Sequence, residues 1–469
     1  MNINSLCMFL RMFLASCLLA ACGGSSNAPA PEAPAQLASV PATIAETPDE
    51  ASPLERPDEQ APTELTDAQA DEGAPAPNGP EHYSLSGYAP AAADMTEADR
   101  AEAGNAPVPD DASPGLQALA APAKHTLYVA PGGSDNNPGT AVKPFRSIWR
   151  AARAAQPGTK VLVAPGSYAG SFRTSVSGYA GERISFVSSV KWGAKIVPPK
   201  NSANKAAWDN RGSHVDIVGF DIDGRNYQGG TRWTHGIYSG GSYDSIRNNH
   251  VHHIAQDVGC MRSGGAAIGV DSYYQGVQAD VIANLVHDIG PAGCRFIQGI
   301  YVSTSGRIKN NVVYRVAEGG IHLWHDARNV VITNNTVTTS NTGIIVGGGN
   351  FYHSKGPNDY TAVYSNIVYD NKMGISEQGK TGLNNTYRNN LVYQNSSYNW
   401  RLKNGLQHSD TVNSAPLFVG DARSVQPKLR PSASSPAVGR ASADYAESTD
   451  FEGRPRNARA GYDIGAYQH

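Results

Sequence analysis

The sequence predicts an all-β solenoid over residues 125–469, built as a single-stranded parallel β-helix. Three observations predict it. An Asn followed two residues later by Val recurs at Asn249, Asn284, Asn311, Asn335, Asn366 and Asn390, at intervals of 35, 27, 24, 31 and 24 residues. A floor near 24 with irregular excesses describes coils of that minimum length, some of which carry loops. A second mark runs in step: Gly236-Ile237, Ala267-Ile268, Gly299-Ile300, Gly320-Ile321, Gly343-Ile344 and Gly374-Ile375, in short runs whose residues alternate with a period of two. The composition also shifts near residue 125, from Ala, Pro, Asp and Glu to Gly, Asn, Val, Ile and Tyr.

Ahead of the solenoid lie two other segments. Residues 1–21 contain Arg11 and the apolar run Met12 to Ala21, a secretory signal too short for a stable membrane-spanning helix. Leu19-Ala20-Ala21-Cys22 resembles the bacterial lipoprotein box, which implies lipidation of Cys22 with acyl chains such as palmitate. Several chains on one residue anchor stably where one is marginal. Gly23 after that cysteine resembles outer-membrane sorting, so the expected location is the cell envelope, lipid-anchored at the outer membrane. Residues 22–124 are rich in Ala and Pro and poor in large apolar side chains. Such a segment cannot offset its ordering entropy and is expected to be a disordered tether.

Of the chain's 469 residues, 40% are hydrophobic, enough to bury a core, and the net charge is −3. That near-neutral total divides into a tether at −15 over residues 23–124 and a solenoid at +11 over residues 125–469. A basic folded domain favours an anionic partner, here an acidic polysaccharide. The bases are scattered along many coils and form no nucleic-acid-binding motif, so no nucleic acid is expected and the domain is expected to be a monomer.

Of five cysteines, Cys7 and Cys17 leave with the signal and Cys22 carries lipid. Cys260 and Cys294 precede their strands at Ile268 and Ile300 by eight and six residues, so they fall at stacked turns of an exported protein. A disulfide is expected, two buried thiols being the alternative.

The entry segment Leu127-Tyr128-Val129-Ala130-Pro131-Gly132-Gly133-Ser134-Asp135, with Asn137-Pro138-Gly139-Thr140 and Lys143-Pro144-Phe145, is similar to that of the pectate-lyase-like right-handed β-helix superfamily. So are Pro157-Gly158-Thr159 to Val163 and Pro165-Gly166-Ser167-Tyr168, and the tail motifs Asp450 to Arg456 and Asp463 to Tyr467. The resemblance implies a right-handed helix and an N-terminal capping helix near Ser147 to Ala155, and says little of the reaction. It also implies calcium as a common aid. Asp216, Asp221 and Asp223 are the candidate ligands, since hard oxygen donors suit that ion.

Long loops precede the Ile268 and Ile300 strands and follow the Ile344 strand, so loops flank one sheet on both sides and outline a groove. One outward column reads Tyr238, Gly269, Tyr301, His322, Ile345, Ser376, and its neighbour Asp271, Ser303, Trp324, Gly347. Outward Tyr and Trp suit sugar rings; the alternative is that the loops cover them. Elimination at a uronate requires removal of the C5 proton beside a neutralised carboxylate. Tyr301 and His322 are the expected acid and base, with His325 and Asp326 at the strand end and Asp326 orienting an imidazole. Tyr238, Asp271 and Trp324 are expected to bind substrate, and Arg262 and Arg295 to neutralise its carboxylate. Expected activity is that of a polysaccharide lyase, with a uronan C5-epimerase or glycoside hydrolase on the same groove, or a non-catalytic glycan-binding lipoprotein, as alternatives. The stretch His325-Asp326 to Ile345 resembles mannuronan C5-epimerases, but Leu323 and Trp324 stand where that family carries Asp-Pro.

Overall fold

The computed structural model describes residues 123–260, 264–457 and 461–469. The signal segment, Cys22, nearly all of the tether and Arg262 lie outside them. Each coil contributes a strand to each of three parallel sheets. The first sheet has eleven strands, from His125–Val129 to His408–Ser409. The second has nine, from Phe172–Thr174 to Tyr398–Arg401, and the third nine, from Gly166–Ala169 to Leu391–Tyr393. A coil visits them in the order first, third, second, as in Val215–Val218, Asp221–Asp223 and His235–Ser239. The chain is the expected all-β, right-handed parallel β-helix.

The recurring asparagines form the corner between the first and third sheets. Each is fully buried. The backbone N–H of Asn249 donates to Asn284 Oδ1 at 2.9 Å, and its own Nδ2 donates both to that oxygen (3.1 Å) and to the carbonyl of Ile217 (2.9 Å). The same pattern repeats from Asn284 to Asn311, Asn335, Asn366 and Asn390. A sharp corner inside a core strands backbone groups that water cannot reach, and one carboxamide per coil satisfies them. The left-handed backbone that the corner needs falls on the residue before each ladder asparagine. Asn248, Ala283, Asn310, Asn334, Ser365 and Asn389, not the ladder asparagines, have φ between 54 and 57°.

With every corner in register, the interior side chains stack by type. Ile217, Ile246, Val281, Ile308, Ile332 and Val363 line the first sheet, Ile237, Ile268, Ile300, Ile321, Ile344 and Ile375 the second, and Val251, Val286, Val313, Val337 and Val368 the third. Each is at most 1% exposed. Burying such a side chain contributes about 1.5–3 kcal/mol.

The first coil is covered by the helix Ile148–Ala154, which turns Ile148, Ala151 and Ala152 inward. Ser147 caps it by accepting from the Arg150 amide at 3.1 Å and is itself held by Asp135, to which its hydroxyl donates at 2.8 Å. The tail does not plug the opposite end. It runs along the Asn corner, where Gly465 N–H donates to the Ser365 carbonyl (2.8 Å) and Arg456 reaches Asn310 Oδ1 (2.7 Å). Phe451 and Ala466 pack there against Ile282, Val312 and Tyr314. The tail thus occupies the corner between the first and third sheets, and the second sheet is left to the loops.

Asn311→Ala should strand the Asn284 amide and the Val281 carbonyl in the interior, at about 1–3 kcal/mol for each unmet group. Thermal unfolding followed by circular dichroism should show a midpoint several degrees lower with the β signature kept. An unchanged midpoint would contradict a stabilising ladder.

Candidate active-site groove on the second sheet

Parallel pairing aligns the expected column without slippage. Tyr238 pairs with Gly269, Gly269 with Tyr301, Tyr301 with His322, His322 with Ile345 and Ile345 with Ser376. The column continues to Asp209 and Arg173 on one side and to Arg401 on the other. The expected disulfide forms between Cys260 and Cys294, with Cα atoms 5.2 Å apart. It ties together the two loops that enter the Gly265–Val270 and Ile297–Val302 strands, making one wall of the groove.

Tyr301 and His322 meet in the middle of the column, with ring centroids 5.3 Å apart and planes at 86°. Trp324 stands beside His322 at 5.7 Å. The run Gly347-Gly348-Gly349 explains how an indole fits there. A Cβ on Gly347, Gly349 or Gly379 would lie 2.7–2.8 Å from Trp324 ring atoms, so the strand backbone itself is the indole's backing. Trp324 is half-buried in this seat. Neither ring nitrogen of His322 has a hydrogen-bond partner, though both are buried. Burial, with the neighbouring His325, pulls its pKa down to about 3, so the imidazole is neutral and keeps a lone pair at neutral pH. An unmet buried polar group costs about 1–3 kcal/mol, a cost without structural return in this column.

His325 and Asp326 do other work than expected. His325 is 1% exposed with φ 46°; its Nδ1 donates to the Asn350 carbonyl (2.8 Å) and its Nε2 accepts from the Tyr352 hydroxyl (2.7 Å). Its ring also stacks on Tyr352 at 3.9 Å. Asp326 orients no imidazole. It accepts from the Ser354 hydroxyl (2.7 Å), the amides of His353 and Ser354 (both 3.0 Å) and the Ser272 hydroxyl (3.1 Å). These donors hold its carboxyl below the usual carboxylate range. Together the two residues fasten the loop after the Thr342–Gly348 strand onto the groove's second wall.

The expected binding residues also divide. Tyr238 is 3% exposed, covered by the Arg211 guanidinium, which lies 4.7 Å from its ring and 3.6 Å from that of Tyr274, and it offers no sugar platform. Arg211 is engaged by Asp209 at 2.5 Å. Asp271 is half-buried, and the Ser303 hydroxyl and the Tyr273 amide (3.1 Å) both donate to its Oδ1. Arg295 is exposed on the disulfide-bonded wall.

Glu318 escaped the sequence reading. It lies just before the Gly319–Leu323 strand, 7% exposed, and accepts from Asn341 Nδ2 at 2.7 Å. Burial pushes its pKa up to about 7, against the opposing pull of Asn341 and Arg295. Its sequence signal is faint, an acid placed where a coil turns into the second sheet.

The candidate calcium ligands are not gathered. Asp216 lies in the first sheet, held by Arg183 (2.7 Å) and Ser185 (2.8 Å). Asp221 and Asp223 lie in the third, held by His250 (3.1 Å), His252 (2.9 Å) and Arg225 (2.7 Å). Among the described residues the clusters of three or more side chains able to hold a metal all lie on the third sheet and contain at least one histidine. Among the described residues the groove gathers no such cluster.

The family model "Protein of unknown function (DUF1565)" matches residues 131–174, the entry segment and first coil. An uncharacterized protein of Bacillus subtilis (strain 168), YwoF, is 31% identical over 136 residues, 27% of this chain; the chain spans only 29% of that relative's length. Pectate lyase L of Dickeya chrysanthemi is 25% identical over 334 residues, 62% of this chain and 73% of the relative. This chain is a parallel β-helix with sequence similarity to a pectate lyase. The solved structure of pectate lyase Pel9A overlays on 76% of this chain and 98% of its own, at 17% identity and a TM-score of 0.49.

A carboxyl with a raised folded pKa stabilises fully below its unfolded value, and that contribution is lost as pH rises through the folded value. Glu318, and likewise Asp244, which burial pushes to about 7, should make the domain lose stability between about pH 5 and 8. Glu318→Gln should remove its share, on the order of 2–3 kcal/mol. Denaturant midpoints at pH 6 and 8.5 should lie closer together in the variant than in the native chain.

Proposed function

We propose that this β-helix acts on an acidic polysaccharide and cleaves it by β-elimination at uronate residues. The observation that carries the reading is the Tyr301–His322 pair beside Trp324 on an in-register column between two loop walls. It is supported by the similarity to pectate lyase L.

In this reading Trp324 receives a sugar face. The neutral His322, whose nitrogens have no internal partner, accepts the C5 proton, and the Tyr301 hydroxyl donates to the leaving oxygen. A base and acid so placed are each worth about 10²–10⁴ in rate. Arg295 meets the substrate carboxylate, and Asp271, open at Oδ2, orients hydroxyls. Calcium is a usual aid among pectate-lyase-like enzymes, but no step here passes through it. Lipid on Cys22 and the acidic tether would hold the enzyme at the cell envelope.

Incubation with pectate, alginate and glycosaminoglycans, with added calcium and with chelator, should raise the ultraviolet absorbance of an unsaturated uronyl product on at least one polymer. Tyr301→Phe and His322→Ala should each lower that rate by about 10²-fold or more while binding is retained. Depolymerisation without the absorbance would replace elimination by hydrolysis, inversion at C5 without cleavage would indicate an epimerase, and binding without turnover in the native chain would remove the catalytic assignment.

The anchor is tested separately. Cys22→Ser should move the protein from the membrane fraction to the soluble fraction and abolish palmitate labelling; retention of both would contradict lipidation at that residue.

A further inference from the structure

The third sheet carries a histidine cluster that the groove does not use. His252 and His287 are paired partners on adjacent strands, with His250 two residues before His252, so the parallel register brings the three rings together. The His250 and His252 rings stack at 4.2 Å, and those of His252 and His287 at 5.2 Å. A carboxylate stands behind each. Asp221 Oδ1 lies 3.1 Å from His250 Nδ1 and 2.9 Å from His252 Nε2, and Asp288 Oδ2 lies 2.6 Å from His287 Nδ1. A carboxylate accepts only, so it places the proton on the ring nitrogen facing it and leaves the lone pair on the other.

The consequence is an electrostatic conflict. His250 and His287 then turn their lone-pair nitrogens, both Nε2, toward each other across 2.7 Å. Two acceptors at that distance repel unless a proton or a metal ion lies between them. Histidines backed by carboxylates in this way are the usual arrangement of metal-ligating imidazoles. We propose that His250 Nε2 and His287 Nε2 bind a divalent transition ion of the zinc class on the third sheet, beside His252, whose own lone-pair nitrogen Nδ1 lies 2.6 Å from His253 Nδ1. One nitrogen of each of the three already lies within 4.8 Å of the others. Two nitrogens on a tetrahedral zinc stand about 3.3 Å apart at bond lengths of roughly 2.0–2.1 Å, so the pair has to open by only about 0.6 Å. Imidazole donors suit zinc, copper and nickel and not calcium. The side chains of His250 and His287 are 19% and 12% exposed, which leaves the ion a path in. Arg315 holds Asp288 from the far side (Nε to Oδ1 2.6 Å), which fixes the carboxylate behind His287. The site is on a different sheet from the groove, and its presence or absence leaves the polysaccharide reading untouched.

The test is equilibrium dialysis of the chelator-treated full chain against Zn²⁺ and Co²⁺. One ion per chain should bind at micromolar concentration or below, and cobalt should give visible absorption bands of a nitrogen-rich site. The His250→Gln/His287→Gln double variant should bind at least about 100-fold more weakly with its circular dichroism kept, while His214→Gln binds as the native chain does. Zinc-edge X-ray absorption of the native chain, which needs no variant to fold, should count two or three imidazole ligands. No saturable binding, an ion shell of oxygen only, or full binding by the folded double variant would overturn the proposal.

Discussion

The asparagine ladder is the constraint on which the rest depends. A coil that turns sharply inside an apolar core must leave backbone N–H and C=O groups without partners, and Asn249 through Asn390 meet them by bonding both along the axis and across the corner. Because each carboxamide also accepts from the coil before it, no coil can slip relative to the next without breaking the chain of bonds. Register then follows everywhere. It stacks isoleucine on isoleucine inside, and outside it turns positions far apart in sequence into columns of neighbours.

Two such columns show how a fixed register becomes chemistry. On the second sheet it sets His322 against Tyr301 and leaves the imidazole without partners. On the third it stacks His287 on His252 and aims the lone pairs of His250 and His287 at each other. His325, by contrast, satisfies both its nitrogens and its ring face on one loop. Histidines of similar appearance in the sequence therefore hold different places, and what separates them is which nitrogens remain unpaired.

The folded domain's excess of base is also distributed by the fold. Arg173 and Arg211 share Asp209, Arg183 holds Asp216, Arg315 holds Asp288 and Arg423 holds Asp370. Much of the arginine is therefore paired with acids of the domain itself. A net charge of +11 bears on long-range attraction of a polyanion, while local recognition rests on few groups, Arg295 among them.

The sequence alone determined the β-helix, its coil positions, the Cys260–Cys294 bond and the composition of the Tyr301–His322 column, because each is written in a repeat and a repeat maps directly onto a stack. It could not determine which side chains the loops would claim. Asp326 and His325 read as catalytic until the loop at residues 350–354 supplied their partners, Tyr238 read as exposed until Arg211 covered it, and Glu318 gave only a faint signal until burial raised its pKa. Loop paths follow from contacts between residues with no periodic relation, so the tertiary structure decided, by who pairs with whom, which of the candidates remain free to act.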